Sequence, residues 1–182
     1  FPNPNNDVVA NRWNVTEKIS RLYLMFNIKS AIGSVPVTGD LGFQGIRAVQ
    51  SSAGYSATGS GNSLSMVKVS GGDRYTDFAP DLNLKFKLPE QTYVRFSVAR
   101  QIARPRMYDM KAGKTFNYDS TYAASTDLSH SPWSGDGGNP KLHPWKANSV
   151  DLSVEKYFKD NMGYVSVAAF YKKLLSYVYQ QS

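Results

Sequence analysis

From Phe78 to Leu88 the chain reads FAPDLNLKFKL, so Phe78, Pro80, Leu82, Leu84, Phe86 and Leu88 alternate with Ala79, Asp81, Asn83, Lys85 and Lys87. Successive side chains of a β-strand point to opposite faces, and this pattern therefore predicts a strand with one apolar face and one charged face. The same two-residue rhythm returns in at least five further segments. Leu22, Leu24, Phe26 and Ile28 share one side of the first. Val94, Phe96, Val98 and Ile102 stand opposite Arg95, Ser97, Ala99 and Gln101, with Arg100 the one charge on the apolar side. Val150, Leu152, Val154 and Phe158 oppose Ser149, Asp151, Ser153 and Glu155, and Val165, Val167, Ala169 and Tyr171 oppose Ser166, Ala168, Phe170 and Lys172. A weaker case puts Val37, Leu41, Phe43 and Val49 against Thr38, Asp40 and Gln44, with Ile46 and Arg47 breaking the pattern. No segment has a comparable helical period, so the chain reads as all-β.

Strand length and loop rhythm narrow the architecture. Strands of soluble domains are most often about 5–6 residues long, whereas these patterns run to roughly ten or more, the length of a tilted strand crossing a bilayer. Three connections are short and rich in turn residues: IGSVP at Ile32 to Pro36, LPEQ at Leu88 to Gln91, and KDNMG at Lys159 to Gly163. Two are long and polar: Ser51 to Tyr75, with a short strand expected at Leu64 to Val69, and Arg104 to Lys146. Alternating short and long connections are the pattern of an antiparallel transmembrane β-barrel, with short periplasmic turns and long extracellular loops. A soluble β-sandwich, such as a carbohydrate-binding module, also alternates but turns its apolar face inward. It is the competing architecture.

Composition removes several classes of function. No run of about 18 apolar residues exists to form a spanning helix. The opening FPNPNNDVVANRW lacks the layout of a secretory signal, so the protein is expected either to stay in the cell or to begin upstream of Phe1. With no cysteine, disulfides, thiolate metal sites and cysteine nucleophiles are absent. The net charge of +7 comes from 21 basic and 14 acidic residues scattered along the chain, which argues against nucleic acid as a partner. Twelve tyrosines, nine phenylalanines and three tryptophans suit strands and membrane interfaces alike. Tyr93, Phe158, Tyr164 and Tyr171, near strand ends, are expected in an interfacial belt.

The stretches YTDFAPDLNLKFKLPEQTYVRFSVARQIARPRMYDM, GNPKLHPWKANSVDLSVEKYF and GYVSVAAFYKKL resemble the barrel region of TonB-dependent outer-membrane receptors of Gram-negative bacteria, especially the large proteobacterial group. LYLMFNIKSAIGSVPVTGDLGFQGIRAVQSSAGY looks like the hairpin preceding it, so the likeness covers nearly all of residues 1–182. It implies part of a 22-stranded barrel embedded in outer-membrane lipid, with an N-terminal plug and a TonB-contacting box outside this chain. It further implies uptake of a bulky scarce solute, carbohydrate or iron chelate, by a transporter that is not an enzyme and needs no cofactor.

Few residues suggest chemistry of their own. KAGKT at Lys111 to Thr115 lacks the upstream glycine of a phosphate loop, since Tyr108 stands there. TGSGNS, Thr58 to Ser63, reads as a flexible turn, and the sequon Asn14-Val15-Thr16 carries little weight. His130 and His143, with Asp127 and Asp136 nearby, match no zinc spacing, and no nucleophile elbow is present. No catalytic or metal site is expected. The candidate ligand contacts are Trp133, Tyr118, Tyr122 and Trp145 in the second long connection, because sugars stack on aromatic faces. Trp133 fits ligand stacking and a membrane-interface belt equally, while Trp145, at a strand start, fits the belt better. Arg104 and Pro105 are read as a strand terminator, and Asn139, Pro140 and Pro144 as residues shaping the return into the next strand.

Overall fold

The computed structural model describes residues 6–59, 64–127, 130–159 and 162–177. After a one-turn helix α1 (Asn6–Ala10) come eight strands: β1 (Asn14–Ile32), β2 (Val35–Thr58), β3 (Ser65–Leu88), β4 (Thr92–Ala103), β5 (Lys114–Tyr118), β6 (Trp133–Gly137), β7 (Trp145–Tyr157) and β8 (Tyr164–Ser176). They form one sheet in the order β6-β5-β2-β3-β4-β7-β8, with β1 also paired to β2. Among the described residues no helix is long and apolar enough to cross a membrane.

Two compact units share these strands. The first gathers the chain up to Ile19, Ala48–Tyr75 and Pro105–His143; the second gathers Ser20–Arg47, Thr76–Arg104 and the chain from Pro144 onward. In the second unit the register turns the alternation of each strand into two continuous faces, because residues directly opposite each other lie on the same side of a sheet. Leu84, Phe96, Leu152 and Ala169 align across β3, β4, β7 and β8, and Phe86, Val94, Val154 and Val167 form the next apolar row. The opposite face carries Asn83, Ser97, Asp151 and Phe170, then Lys85, Arg95, Ser153 and Ala168. Arg100, the lone charge at an apolar position, donates from Nε to Oδ1 of its cross-strand partner Asn148 at 3.0 Å. Phe43 bridges Phe26 and Phe78, with centroids 6.4 and 6.0 Å away.

Burial is the reverse of a soluble domain. The largest fully buried side chains are Met110 and Pro144, and the other buried apolar residues include Ala48, Ala57, Ala112 and Ala147. Meanwhile Leu152 remains 46% exposed, and Val150, Val154, Val167 and Tyr171 are exposed beside it. In a sandwich a second sheet would cover these side chains, but the described strands make only one sheet.

Two expectations are corrected. Ser51 to Tyr75 is not a long polar connection with a short strand at Leu64–Val69: β2 continues to Thr58 and β3 begins at Ser65, 24 residues each. Residues 60–63, the end of TGSGNS, lie outside the described residues. The glycines and serines here answer to close packing, not flexibility. A Cβ on Gly72 would strike the Gln50 carbonyl oxygen and lie 3.0 Å from Ser51 Cα, and Ser52 is buried. Tyr93 and Tyr164 are not on the apolar side where a belt would lie. Tyr93 pairs with Glu155 and Tyr164 with Tyr157, which place both on the polar face. Position near a strand end suggested the belt, but strand parity decides the face. Tyr171 does lie in an apolar row, opposite Val150.

The reversal at Pro89–Thr92 is closed by the Thr92 N–H donating to Pro89 O at 3.3 Å, with Glu90 and Gln91 both at φ +54°. Left-handed backbone at two successive non-glycine residues matches the twist of the flanking strands but costs about 1 kcal/mol or more per residue. Gln91→Gly should therefore stabilise the protein by about 1 kcal/mol, read as a higher urea midpoint with unchanged slope. An unchanged or lower midpoint contradicts the strain. Glu90 is left in place because it holds Lys156 at 2.8 Å.

Candidate functional site

In the first unit the connection after β4 folds back onto β2 through polar contacts. Buried Gln50 donates from Nε2 to the carbonyls of Pro140 and Leu142, each at 2.8 Å. Ser52 Oγ donates to Asn14 O at 2.9 Å and accepts from Ala112 N at 2.8 Å. The Lys111 side chain is only 9% exposed and ion-pairs with Asp136, while Tyr108 Oη donates to Asp136 Oδ2 at 2.9 Å. The Lys111 ammonium also sits 3.8 Å from the centroid of the Tyr108 ring. KAGKT is thus a tether, with its first lysine committed to an internal carboxylate.

Hydrogen bonds from Lys111 and then Tyr108 hold the Asp136 carboxyl below the usual carboxylate range. Burial pulls Lys111 down, but its hydrogen bonds to Asp136 and Tyr108 outweigh this and raise it. A carboxylate with a lowered folded value stabilises above its unfolded value of about 3.9 and loses that contribution as pH falls through the folded value. Hydrogen exchange of Trp133–Gly137, corrected for intrinsic rate, should be flat between about pH 5 and 8 and quicken only below about 4. Asp136→Ala, which strands the buried ammonium, should destabilise this segment by about 2–3 kcal/mol, below the range for fully buried pairs because the acid is half exposed. Equal protection in the variant contradicts the tether.

The tether presents a small hairpin. β5 runs parallel to the end of β2, with Ser56 opposite Lys114, and antiparallel to β6. Tyr118 and Trp133 are cross-strand partners, 51% and 59% exposed, with ring centroids 4.8 Å apart and planes at 55°. Tyr122 lies in the 3-10 turn Ser120–Tyr122 and packs on His130, centroids 5.5 Å apart. His130 Nδ1 lies 3.1 Å from Asp127, and His143 Nε2 lies 2.9 Å from Asp73. Of the four aromatic candidates, then, Tyr118 and Trp133 are brought together and Tyr122 stands with His130. Trp145 begins β7 in the second unit, opposite Ala103. β4 ends at Ala103, immediately before Arg104 and Pro105. Asn139 accepts from Lys141 N at 3.0 Å and donates its own N–H to Asp109 O at 2.8 Å. Pro140 O receives Gln50, and Pro144, fully buried, receives Ser176 Oγ at 3.1 Å.

The second unit carries polar groups that the sequence did not single out. An open groove of about 450 Å³ on this sheet is lined by Asp40, Asn83, Lys85, Arg95, Asp151 and Phe170, with Leu84, Phe96, Leu152 and Ala169 of the apolar row also along it. Arg95 Nε donates to Glu155 Oε1 at 3.0 Å, and Lys85 Nζ lies 4.5 Å from the Tyr93 centroid. Buried Asp77 is ion-paired with Lys146. Alternation foretold that these side chains share a face, but only the register tells which stand side by side. Both surfaces offer hydrogen bonds and aromatic faces, the means of reversible binding.

Residues 1–182 match the family model described as TonB dependent receptor-like, beta-barrel. That is a family of outer-membrane transporters of Gram-negative bacteria, not of enzymes. No curated protein and no solved structure matches the chain significantly. An uncovered apolar face, a polar opposite face, strands of 12 to 24 residues in the main ladder and a match over the whole length agree, and the chain belongs to the TonB-dependent receptor β-barrel family.

Proposed function

We propose that this chain is a stretch of wall in a 22-stranded, plug-gated outer-membrane receptor that imports a bulky scarce solute, carbohydrate ahead of iron chelate. The plug and the TonB-contacting box belong to chain outside these residues. Rows such as Leu84, Phe96, Leu152 and Ala169 face lipid, and the rows of Asn83 and Lys85 face the lumen. The connection Arg104–Lys146 meets the ligand outside the cell, where loops on a rigid scaffold commonly bind.

The observation that carries the carbohydrate reading is the Tyr118–Trp133 pair. Two large rings in contact, both more than half exposed on a tethered hairpin, form a pre-ordered platform for the apolar face of a sugar ring. Tyr122 flanks it as a secondary contact, and Trp145 serves as a headgroup anchor. Isothermal titration of the detergent-solubilised receptor with neutral hexasaccharides and with ferric citrate tests this. At least one hexasaccharide should bind, and Trp133→Ala or Tyr118→Ala should weaken it about tenfold, ~1.4 kcal/mol. Tight ferric citrate binding without hexasaccharide binding would replace carbohydrate by chelate.

A further inference from the structure

We infer that Gln50 is the positioning residue of the aromatic platform: from β2 it seats the turn 139–143 and thereby fixes the hairpin that carries Tyr118 and Trp133; its role in ligand affinity rests on the carbohydrate reading above. Gln50 is 3% exposed, and both hydrogens of its amide nitrogen are used, on Pro140 O and Leu142 O at 2.8 Å each. The other end of the amide, Oε1, is buried with no hydrogen-bond partner among the described residues. A buried polar atom left unpaired costs stability, a cost that an apolar side chain here would avoid. What the amide supplies instead is a grip on two carbonyls of one turn. The neighbouring backbone is shaped to receive that turn. A Cβ on Gly71 of β3 would lie 2.6 Å from Pro140 Cγ, and one on Gly138 would lie 2.6 Å from both Asp109 O and Lys111 O. Leu142 N–H closes the turn on Asn139 O at 3.2 Å, and the His143 ring packs on Tyr75 with centroids 5.1 Å apart.

The seat lies at the base of the hairpin. β6 ends at Gly137, opposite Lys114, and the seated turn follows at once. Tyr118 and Trp133 pair at the other end of the same ladder, about 14 Å away at the ordinary rise of a strand. Among the described residues β6 has β5 as its one strand neighbour, so the Lys111–Asp136 pair and the seat are what hold its base. A tilt of about 10° at the base would carry the two rings about 2 Å, beyond the tolerance of about 0.5 Å within which a binding constellation has to be held. If the seated hairpin falls to about a fifth of the population, apparent affinity falls about fivefold with no ligand contact removed.

The test removes the grip and then restores it by other means, in the full-length receptor in detergent. Gln50→Leu keeps the bulk and loses both donors. It should quicken hydrogen exchange of Trp133–Gly137 about tenfold and weaken the hexasaccharide that the wild type binds about fivefold, while the folded band on a cold gel keeps its intensity. An ideal Cβ on Gly71 lies 3.4 Å from Pro140 Cβ, close to the separation of about 3.5–4.5 Å in a disulfide, and these 182 residues include no cysteine. Gly71→Cys with Pro140→Cys, added to Gln50→Leu, should therefore restore both slow exchange and affinity when oxidised and lose both again on reduction. Gly71→Ala, whose Cβ displaces Pro140 with Gln50 intact, should imitate Gln50→Leu and carries the test if Gln50→Leu fails to fold. Unchanged exchange in these variants overturns the proposal, as does affinity that stays lost after oxidation. Quickened exchange with undiminished hexasaccharide binding also overturns it, because the platform then needs no positioning. If the wild type binds no hexasaccharide at millimolar concentration while exchange quickens and oxidation reverses it, the carbohydrate reading falls and Gln50 stands as the residue that positions the hairpin.

Discussion

Gly39→Val will prevent the β2–β3 ladder from closing and leave the protein unable to assemble. A Cβ at Gly39 would overlap the Asn83 carbonyl oxygen and lie 3.1 Å from Leu84 Cδ2. The first neighbour is backbone in the middle of a paired strand, so it cannot turn aside as a side-chain tip could. The ladder itself has to shift, at a cost of more than about 3 kcal/mol, at the upper end of overpacking effects. Gly45→Ala is the control, since a Cβ there meets nothing within 4 Å and its φ is not left-handed. It should be neutral or slightly stabilising through the unfolded chain. Heat-modifiability on a cold gel separates the two outcomes. A folded band of ordinary intensity for Gly39→Val would mean that the close approach does not exist.

Leu152→Arg should destabilise the membrane-inserted protein by about 2–4 kcal/mol, the range for a cation on the lipid face near the bilayer midplane. Leu152 sits between Phe96 and Ala169 in a middle row of the apolar face. Ser166→Arg places the same guanidinium on the polar face opposite Glu155 and should change stability by less than about 1 kcal/mol. Urea titrations in vesicles give both values. Equal costs would mean that the faces are misassigned. A large cost for Ser166→Arg alone would turn the sheet inside out and make the Val150-Leu152-Val154 side the core of a soluble protein.

Much of this architecture was legible in the residues, for a reason visible in β7. Val150, Leu152 and Val154 alternate with Asp151, Ser153 and Glu155 because a pleated backbone sends neighbours to opposite faces whatever lies around it. Such a rule is local, so a linear sequence displays it. The end of β2 and the start of β3 obey the same geometry but were hidden. Their ladder is satisfied by backbone, and small residues such as Ser52 and Gly72 were chosen for close contact, a choice that composition alone presents as looseness. The candidate platform was half legible. Tyr118 and Trp133 were both nameable as exposed aromatics, but fifteen positions of chain separate them, and nothing local says that one faces the other while Tyr122 turns to His130.

By itself the sequence determined the all-β class, the strands β4, β7 and β8, the tight reversal that leads into β4 and the division of each of these strands into apolar and polar sides. These depend on side chains one or two positions apart. The tertiary structure alone decided that Lys111 closes on Asp136, that Gln50 holds Pro140 and Leu142, and that Asn83, Ser97, Asp151 and Phe170 stand in one row. Those neighbours are set by the register between strands distant in the chain, and a slip of a single residue would move every side chain of a strand to the other face.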